Sequence, residues 1–290
     1  MHWLKQALWL AEAAIIFPLY ALFRLLPMDI ASMVGGAVFR TFGPYLPVAR
    51  VGRTNLRLAF PDLPEIERDV ILEGVFENLG RVFAEFPHLS RITRERVEIV
   101  GVEFVHAIRD DNWTGMLFTA HLGNWEVLPP ICEQQNLPLA VVYRAVNNPY
   151  LDKLLKHCRN TPRGRLLPKG REGARQAMVA MAKGEHVGML VDQKMNDGIA
   201  VPFFGRPAMT APALTQLALR FDCPVLPMRV ERLKGVQFRV TVGPILVLPR
   251  TGERDADIRE GTAVINRIME GWIRDRPEQW LWLHRRWPES

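Results

Sequence analysis

Gly115-Met116-Leu117-Phe118-Thr119-Ala120-His121-Leu122-Gly123-Asn124-Trp125-Glu126 is the stretch on which the reading of this chain turns. Its apolar run, GMLFTA, is short and bounded by turn-forming residues, so it reads as a buried strand. Gly123 permits a sharp bend, Asn124 is a fitting N-cap, and a helical pattern follows over 125–135. In open α/β sheets ligands bind beyond the carboxyl ends of strands, and that is where this bend lies.

Within the bend, His121 and Glu126 stand five positions apart. On a continuous helix five residues turn about 140° past a full circle, so the two side chains would diverge. They meet only if His121 sits in the loop and Glu126 in the first helical turn, where the helix dipole favours a carboxylate. A carboxylate on one imidazole nitrogen fixes the tautomer and makes the other nitrogen more basic. His121 with Glu126 is therefore the candidate general base. The alternative is an ordinary loop histidine followed by a favourable first-turn acid, and the spacing alone does not decide between them.

Outward from this stretch the chain alternates. Apolar runs at 97–100, 115–120, 139–144, 188–191, 224–232 and 237–242 are separated by helical patterns at 125–135, 149–159, 171–183, 211–221 and 257–275. Such alternation predicts an α/β fold, a mixed, partly parallel sheet flanked by helices. The first ninety residues read instead as helices. Pro61-Asp62-Leu63-Pro64-Glu65 opens one with an acidic first turn, Ile71, Val75, Leu79, Val82, Phe83 and Phe86 keep its spacing, and Pro87 ends it.

From Ala7 to Leu26 only Glu12 and Arg24 are ionisable. Twenty helical residues span about 30 Å, the thickness of a hydrocarbon core. Glu12 and Pro18 make this a marginal span, so a helix lying in the interface is the other possibility. A cleaved signal fits less well, because a second apolar stretch, Ile30 to Phe42, follows with no convincing cleavage site. The expected organisation is a membrane-anchoring helix over 1–26 and a single α/β domain with a helical N-terminal part over 27–290.

Hydrophobic residues at 48% and charged residues at 23% exclude disordered and fibrous classes. Cys132, Cys158 and Cys223 form no CxxC, which argues against a disulfide framework or a metal cluster. The 37 basic residues against 31 acidic ones suit an anionic partner. No recognition-helix, RNP-like or zinc motif points to nucleic acid. Lys153 to Arg175 concentrates the charge, and Arg159, Arg163, Arg165, Lys169 and Arg171 are the candidates for meeting an anionic acceptor or an acidic carrier protein. A solvated basic face near anionic lipid would look the same. Asp192 and Gln193 follow the strand at 188–191 and so occupy another strand-end loop, suited to ordering a neighbouring polar group or binding a head group. Trp280, Trp282 and Trp287 read as core packing or as an interfacial belt. Phe203, Phe204 and Met209 are candidate linings for an apolar tunnel, or plain core.

His121-Leu122-Gly123-Asn124-Trp125-Glu126 resembles the His-x4-Asp/Glu motif of the glycerolipid acyltransferase superfamily. More narrowly, it resembles the late acyltransferases of bacterial lipid A biosynthesis, the lauroyl and myristoyl transferase group. Further segments in the right order support the likeness: Asn78-Leu79-Gly80-Arg81 with Glu85, Tyr143-Arg144 with Asn147-Asn148-Pro149, and Val191-Asp192-Gln193. Val201-Pro202-Phe203-Phe204-Gly205 with Thr210-Ala211, and Pro277 to Trp282 with His284-Arg285-Arg286-Trp287, complete it. The resemblance implies transfer of a fatty acyl chain from acyl carrier protein to a hydroxyl of a lipid A precursor. It places the work at the cytoplasmic face of the inner membrane and calls for no cofactor beyond the acyl-carrier co-substrate. His121 would take the hydroxyl proton. Arg144, or backbone N–H groups at Gly123 and Asn124, would meet the oxyanion. The absence of a GxSxG elbow fits a route without an acyl-enzyme. A different lipid acceptor with acyl-CoA, or a lipid-binding protein without activity, are the competing readings.

Overall fold

The computed structural model describes residues 2–287. It opens with five helices, α1 (His2–Leu25), α2 (Met28–Phe42), α3 (Ala49–Ala59), α4 (Glu65–Glu85) and α5 (Leu89–Glu95). α4 starts at Pro64 with Glu65 and Glu67 in its first turn, where their charge suits the helix dipole. α2 crosses α4 at close range: a Cβ on Gly35 would meet the Gly80 carbonyl oxygen and the Ala84 methyl group at 2.6 Å. Glycine at that crossing lets the two backbones touch.

Strands and helices then alternate: β1 (Val97–Val100), α6 (Val102–Asp110), β2 (Met116–Thr119), α7 (Leu128–Gln134), β3 (Leu139–Tyr143), α8 (Pro149–Arg159), β4 (Arg165–Pro168), α9 (Arg171–Ala182) and β5 (His186–Leu190). A hairpin, β6 (Lys194–Phe203) and β7 (Arg206–Thr210), precedes α10 (Ala213–Phe221), β8 (Val225–Lys234), β9 (Gln237–Val242) and α11 (Arg254–Asp275). Seven strands form one sheet in the order β1-β9-β8-β2-β5-β3-β4, and every pairing except β8 with β9 is parallel. The expected mixed, partly parallel sheet flanked by helices is what forms.

Each face of the sheet has its own apolar layer. Leu117, Leu139, Leu226 and Met228 pack with Ile92, Val105, Leu128 and Ile131 of α5, α6 and α7. Phe118, Ala140 and Val187 pack with Ala177, Leu214, Ile265 and Met269 of α9, α10 and α11. Alternate residues of a strand thus feed opposite layers, as the two-residue repeat requires.

Three features go beyond the alternation read from the sequence. α6 follows β1 directly through Gly101, whose φ of +79° turns the chain. β4 is a four-residue edge strand ending in a proline, too short to signal itself. The β6–β7 hairpin holds Pro202 and Pro207 opposite each other, which a separate two-stranded ribbon tolerates. Its two-residue loop, Phe204-Gly205, has both φ angles positive, as a tight hairpin turn demands.

Candidate active site

β2 ends at Thr119, and His121 stands just beyond the sheet's carboxyl edge. The adjacent strand β5 ends at Leu190 and delivers Asp192 to the same edge. The Asp192 carboxylate is fully buried. Its Oδ1 lies 2.8 Å from His121 Nδ1, and its Oδ2 accepts the His121 backbone N–H at 2.9 Å. Trp280 Nε1 donates to that same Oδ2 at 2.7 Å. Burial pushes the Asp192 carboxyl up, but the charge and hydrogen bonds of His121 outweigh it and hold the group well below the usual carboxylate range. An ionised Asp192 puts the imidazole proton on Nδ1 and leaves Nε2 as the lone-pair nitrogen.

This corrects the expected pairing. Glu126 is in the first turn after the bend, as its position requires, but it does not serve the imidazole. Its Oε2 accepts Arg159 Nε at 2.7 Å, its Oε1 accepts Arg159 Nη2 at 2.5 Å, and Trp125 Nε1 also donates to Oε1 at 2.8 Å. The Trp125 ring meets the His121 ring edge-on at 5.0 Å between centroids. Glu126 therefore fixes the indole that borders the imidazole, and it holds a guanidinium beside the site. The helix predicted over 125–135 opens as a 3-10 turn, Trp125–Val127, capped by the Asn124 side chain accepting from the Glu126 N–H. That tighter start aims Glu126 toward α8 instead of back over the loop.

The loop itself is strapped from two sides. Leu281 N–H donates to the His121 carbonyl at 3.0 Å and Gly123 N–H donates to the Gln279 carbonyl at 3.1 Å. Gly123 has φ +58°, and a Cβ there would lie 2.8 Å from the Val230 carbonyl oxygen, so its bend and its close approach both require glycine. Asn78 Nδ2 donates to the Gly123 carbonyl at 2.9 Å, and Asn124 Nδ2 donates to buried Glu85 at 2.8 Å. Glu85 is paired in turn with Arg232, whose Nε donates to Asn78 at 2.9 Å. A buried polar network from α4, β8 and the C-terminal segment thus sets the shape of the His121 loop. Trp280, which donates to Asp192, and Trp282 are fully buried, as is Arg286, which bonds Met209 and Thr210 of β7, so the tryptophans are not an interfacial belt.

The remaining candidates divide sharply. Gly123 N–H is committed to the Gln279 carbonyl and so is not free for an oxyanion, while the Asn124 side chain is committed to Glu85 and the cap. Arg144 lies just past β3, exposed, without a hydrogen bond or ion pair among the described residues. β5 separates β3 from β2, so Arg144 stands two strand spacings, about 10 Å, from the His121 strand at the same edge. Gln193 follows Asp192, part-buried, and does not bond His121. Of the basic run, Arg159 reaches the site. Lys169 and Arg171 are exposed where β4 leads into α9, again at the carboxyl edge. Arg163 and Arg165 do not belong with them. They sit at the amino end of β4, on the far edge of the sheet, paired with Glu133 and Glu185. A β-strand alternates its residues and carries its two ends apart, so a run of charge across it cannot form one patch.

A small apolar groove, with about 40 Å³ of open space, lies under α7 on the sheet face that includes Leu117. Leu117, Trp125, Leu128, Gly188, Leu190 and Met228 line it. Trp125 connects it to His121. Of the two readings of Phe203 and Phe204, tunnel lining or core, the core one holds: they pack in an aromatic cluster with Trp280, Trp282 and Trp287. The groove-forming residues were not singled out from the sequence, because each looks like ordinary core until α7 is placed.

A histidine with a fixed tautomer, set at the carboxyl edge of a mostly parallel sheet and beside an apolar groove, fits an acyltransferase of α/β class. The sequence matches the family described as bacterial lipid A biosynthesis acyltransferase over residues 2–289, and the chain belongs to that family. It is 28% identical over 250 residues to the lipid A biosynthesis lauroyltransferase of Escherichia coli, covering 82% of this chain and 78% of that protein. It is 24% identical over 272 residues to the palmitoleoyltransferase of the same organism, covering 90% and 86%. A lipid A biosynthesis acyltransferase of Haemophilus influenzae is 23% identical over 239 residues, covering 80% and 73%. A solved acyltransferase from Thermotoga maritima, acting on 1-acyl-sn-glycerophosphate, superposes over 84% of this chain and 98% of its own, with TM-score 0.37 and 10% identity. At that distance it adds nothing to the assignment.

Proposed function

We propose that this acyltransferase moves a fatty acyl chain from acyl carrier protein to a hydroxyl of a lipid A precursor, with His121 as general base. The observation that supports it is His121 Nδ1 held by buried Asp192 beside an apolar groove. Nε2 is left to accept the acceptor's hydroxyl proton. The freed oxygen attacks the thioester carbonyl carbon, and the C–O bond forms as the carbonyl π pair moves onto oxygen. The tetrahedral intermediate collapses, the C–S bond breaks, and the imidazolium returns its proton to the leaving thiolate. Asp192 stabilises the imidazolium while it exists. The groove is where the acyl chain enters in this proposal, and it widens as the chain binds.

Arg159, held beside the site by Glu126 with Nη1 bonded to no described residue, is the cation proposed to meet the oxyanion. Glu126 acts through Arg159 and Trp125. Arg144, Lys169 and Arg171, exposed at the carboxyl edge, meet phosphates of the acceptor. α1 contains Trp3–Leu25, long and apolar enough to cross a membrane by length and composition, and its outer face is exposed. This supports residues 1–26 as the anchor; the proposal sets residues 27–290 at the cytoplasmic face of the inner membrane.

The test is transfer of radiolabelled acyl chains from acyl carrier protein to a phosphorylated lipid A precursor by the detergent-solubilised protein, with His121→Ala as control. Transfer to the precursor that disappears in H121A is the expected result. Transfer only to a lysophospholipid, or only from acyl-CoA, would overturn the substrate assignment.

A further inference from the structure

Glu12 and Tyr20 break the apolar run of α1, and both face the α/β domain. Asn148 Nδ2 donates to Glu12 Oε2 at 2.8 Å and to the Trp9 carbonyl at 2.9 Å. The Oδ1 of the same Asn148 caps α8, accepting the Tyr150 N–H at 2.9 Å. At the other end of α8, Cys158 Sγ lies 3.7 Å from the Tyr20 hydroxyl. Glu12 to Tyr20 covers about 12 Å of helix and Asn148 to Cys158 about 15 Å, so the two helices run side by side in the same direction. The residue after Cys158 is Arg159, the partner of Glu126.

α8 has little else to hold it. Asp152 is the one fully buried residue of α8, and its apolar face, Leu151, Leu154, Leu155 and Cys158, is half-buried and joins neither core layer. Its principal packing partner is α1. With its apolar face only half-buried, α8 depends for its exact position on its tethers, Asn148 on Glu12, Cys158 against Tyr20, and Arg159 on Glu126.

We infer that α1 is the scaffold that positions α8, and that Glu12 and Asn148 are positioning residues acting on the reaction through Arg159. An ionisable side chain within an apolar helix is thereby accounted for: it supplies the acceptor that orients the α8 cap. The inference deepens the proposed acyl transfer and rests on it for its effect on rate.

The experiment uses the full chain in detergent or lipid discs. Glu12→Ala should lower kcat about tenfold with KM for the acyl donor little changed, while Glu12→Gln, which keeps an acceptor oxygen, should stay within about twofold of the parent. E12A should still sediment with membranes, because it removes a charge from an apolar helix. Hydrogen–deuterium exchange over 149–159 should rise at least tenfold in E12A and not in E12Q. Arg159→Lys keeps the charge but loses the fork that grips Glu126, so adding E12A to R159K should cost no more than twofold further. Unchanged exchange in α8 of E12A, or a full tenfold loss on top of R159K, would overturn the coupling. If the parent protein transfers no acyl chain, the functional reading falls, and the exchange measurement still decides whether α1 positions α8.

Discussion

Asp192 grips His121 twice, once at the imidazole Nδ1 and once at the backbone N–H, with both carboxylate oxygens engaged at 2.8 and 2.9 Å. The aspartate thus sets the ring's tautomer and also the position of the loop that carries it. Asp192→Asn presents an N–H to Nδ1 in place of an acceptor oxygen. The ring then turns its proton to Nε2, the nitrogen that must be free. Loss of the correct tautomer costs about 10⁴ in turnover where such a dyad works as a base, and D192N should fall by about 10³–10⁴ with the fold retained. Steady-state acyl transfer measures it. A loss under threefold would mean that Asp192 does not set the base.

Glu126 and Arg159 form a fork in which the carboxylate is buried and the guanidinium half-buried. Removing either partner leaves the other charge poorly solvated, which is costly for buried pairs. Glu126→Ala and Arg159→Ala should each reduce turnover and lower the thermal midpoint, and the double variant should be far less damaged than the sum. A coupling of roughly 1–3 kcal/mol is expected for groups in direct contact. Additive effects would show that the two act separately.

His284 provides a pH signature. Burial pushes its imidazole down to about 4, against the opposing pull of Asp192. Folded, it stays neutral between pH 6.5 and 4, whereas the unfolded chain takes up a proton over that interval. Stability should therefore fall as pH drops from about 6.5 to 4, by on the order of 3 kcal/mol from this group. His284→Asn, which retains a donor for the Leu281 carbonyl, should flatten that decline. Thermal midpoints of parent and variant across the interval decide it, and parallel curves would rule out His284 as the origin.

Gly188 lies in the floor of the apolar groove, in register with Leu117 on one side and Val141 on the other. A Cβ there would meet Leu139 Cδ1 at 3.2 Å, close enough to need a small shift, and a leucine would fill the groove. Gly188→Leu should shift the preferred acyl donor toward shorter chains. Each methylene in an apolar site is worth about 1–3 kcal/mol, so the change should appear as at least tenfold in the ratio of kcat/KM between long and short donors. An unchanged ratio would place the acyl chain elsewhere.

Much of this molecule is determined locally. The apolar run at 115–120, the bend at Gly123, the Asn124 cap and the helical periodicities of α4, α8, α9 and α11 are written in residues a few positions apart. So are the α/β class and the candidacy of His121. The partner of His121 is another matter. Glu126 is five residues away and Asp192 seventy-one, and sequence spacing favours the near one. Only the parallel pairing of β2 with β5 sets Asp192 beside the ring, while the 3-10 turn after Asn124 swings Glu126 to Arg159. The same holds for Glu12, which reads as a flaw in an apolar helix until α8 is laid against it. It holds too for the basic run at 153–175, which looks continuous until β4 carries Arg163 and Arg165 to the far edge. Strand order and helix docking bring together residues far apart in the chain, and hydrogen-bond partners at 3 Å depend on that assembly.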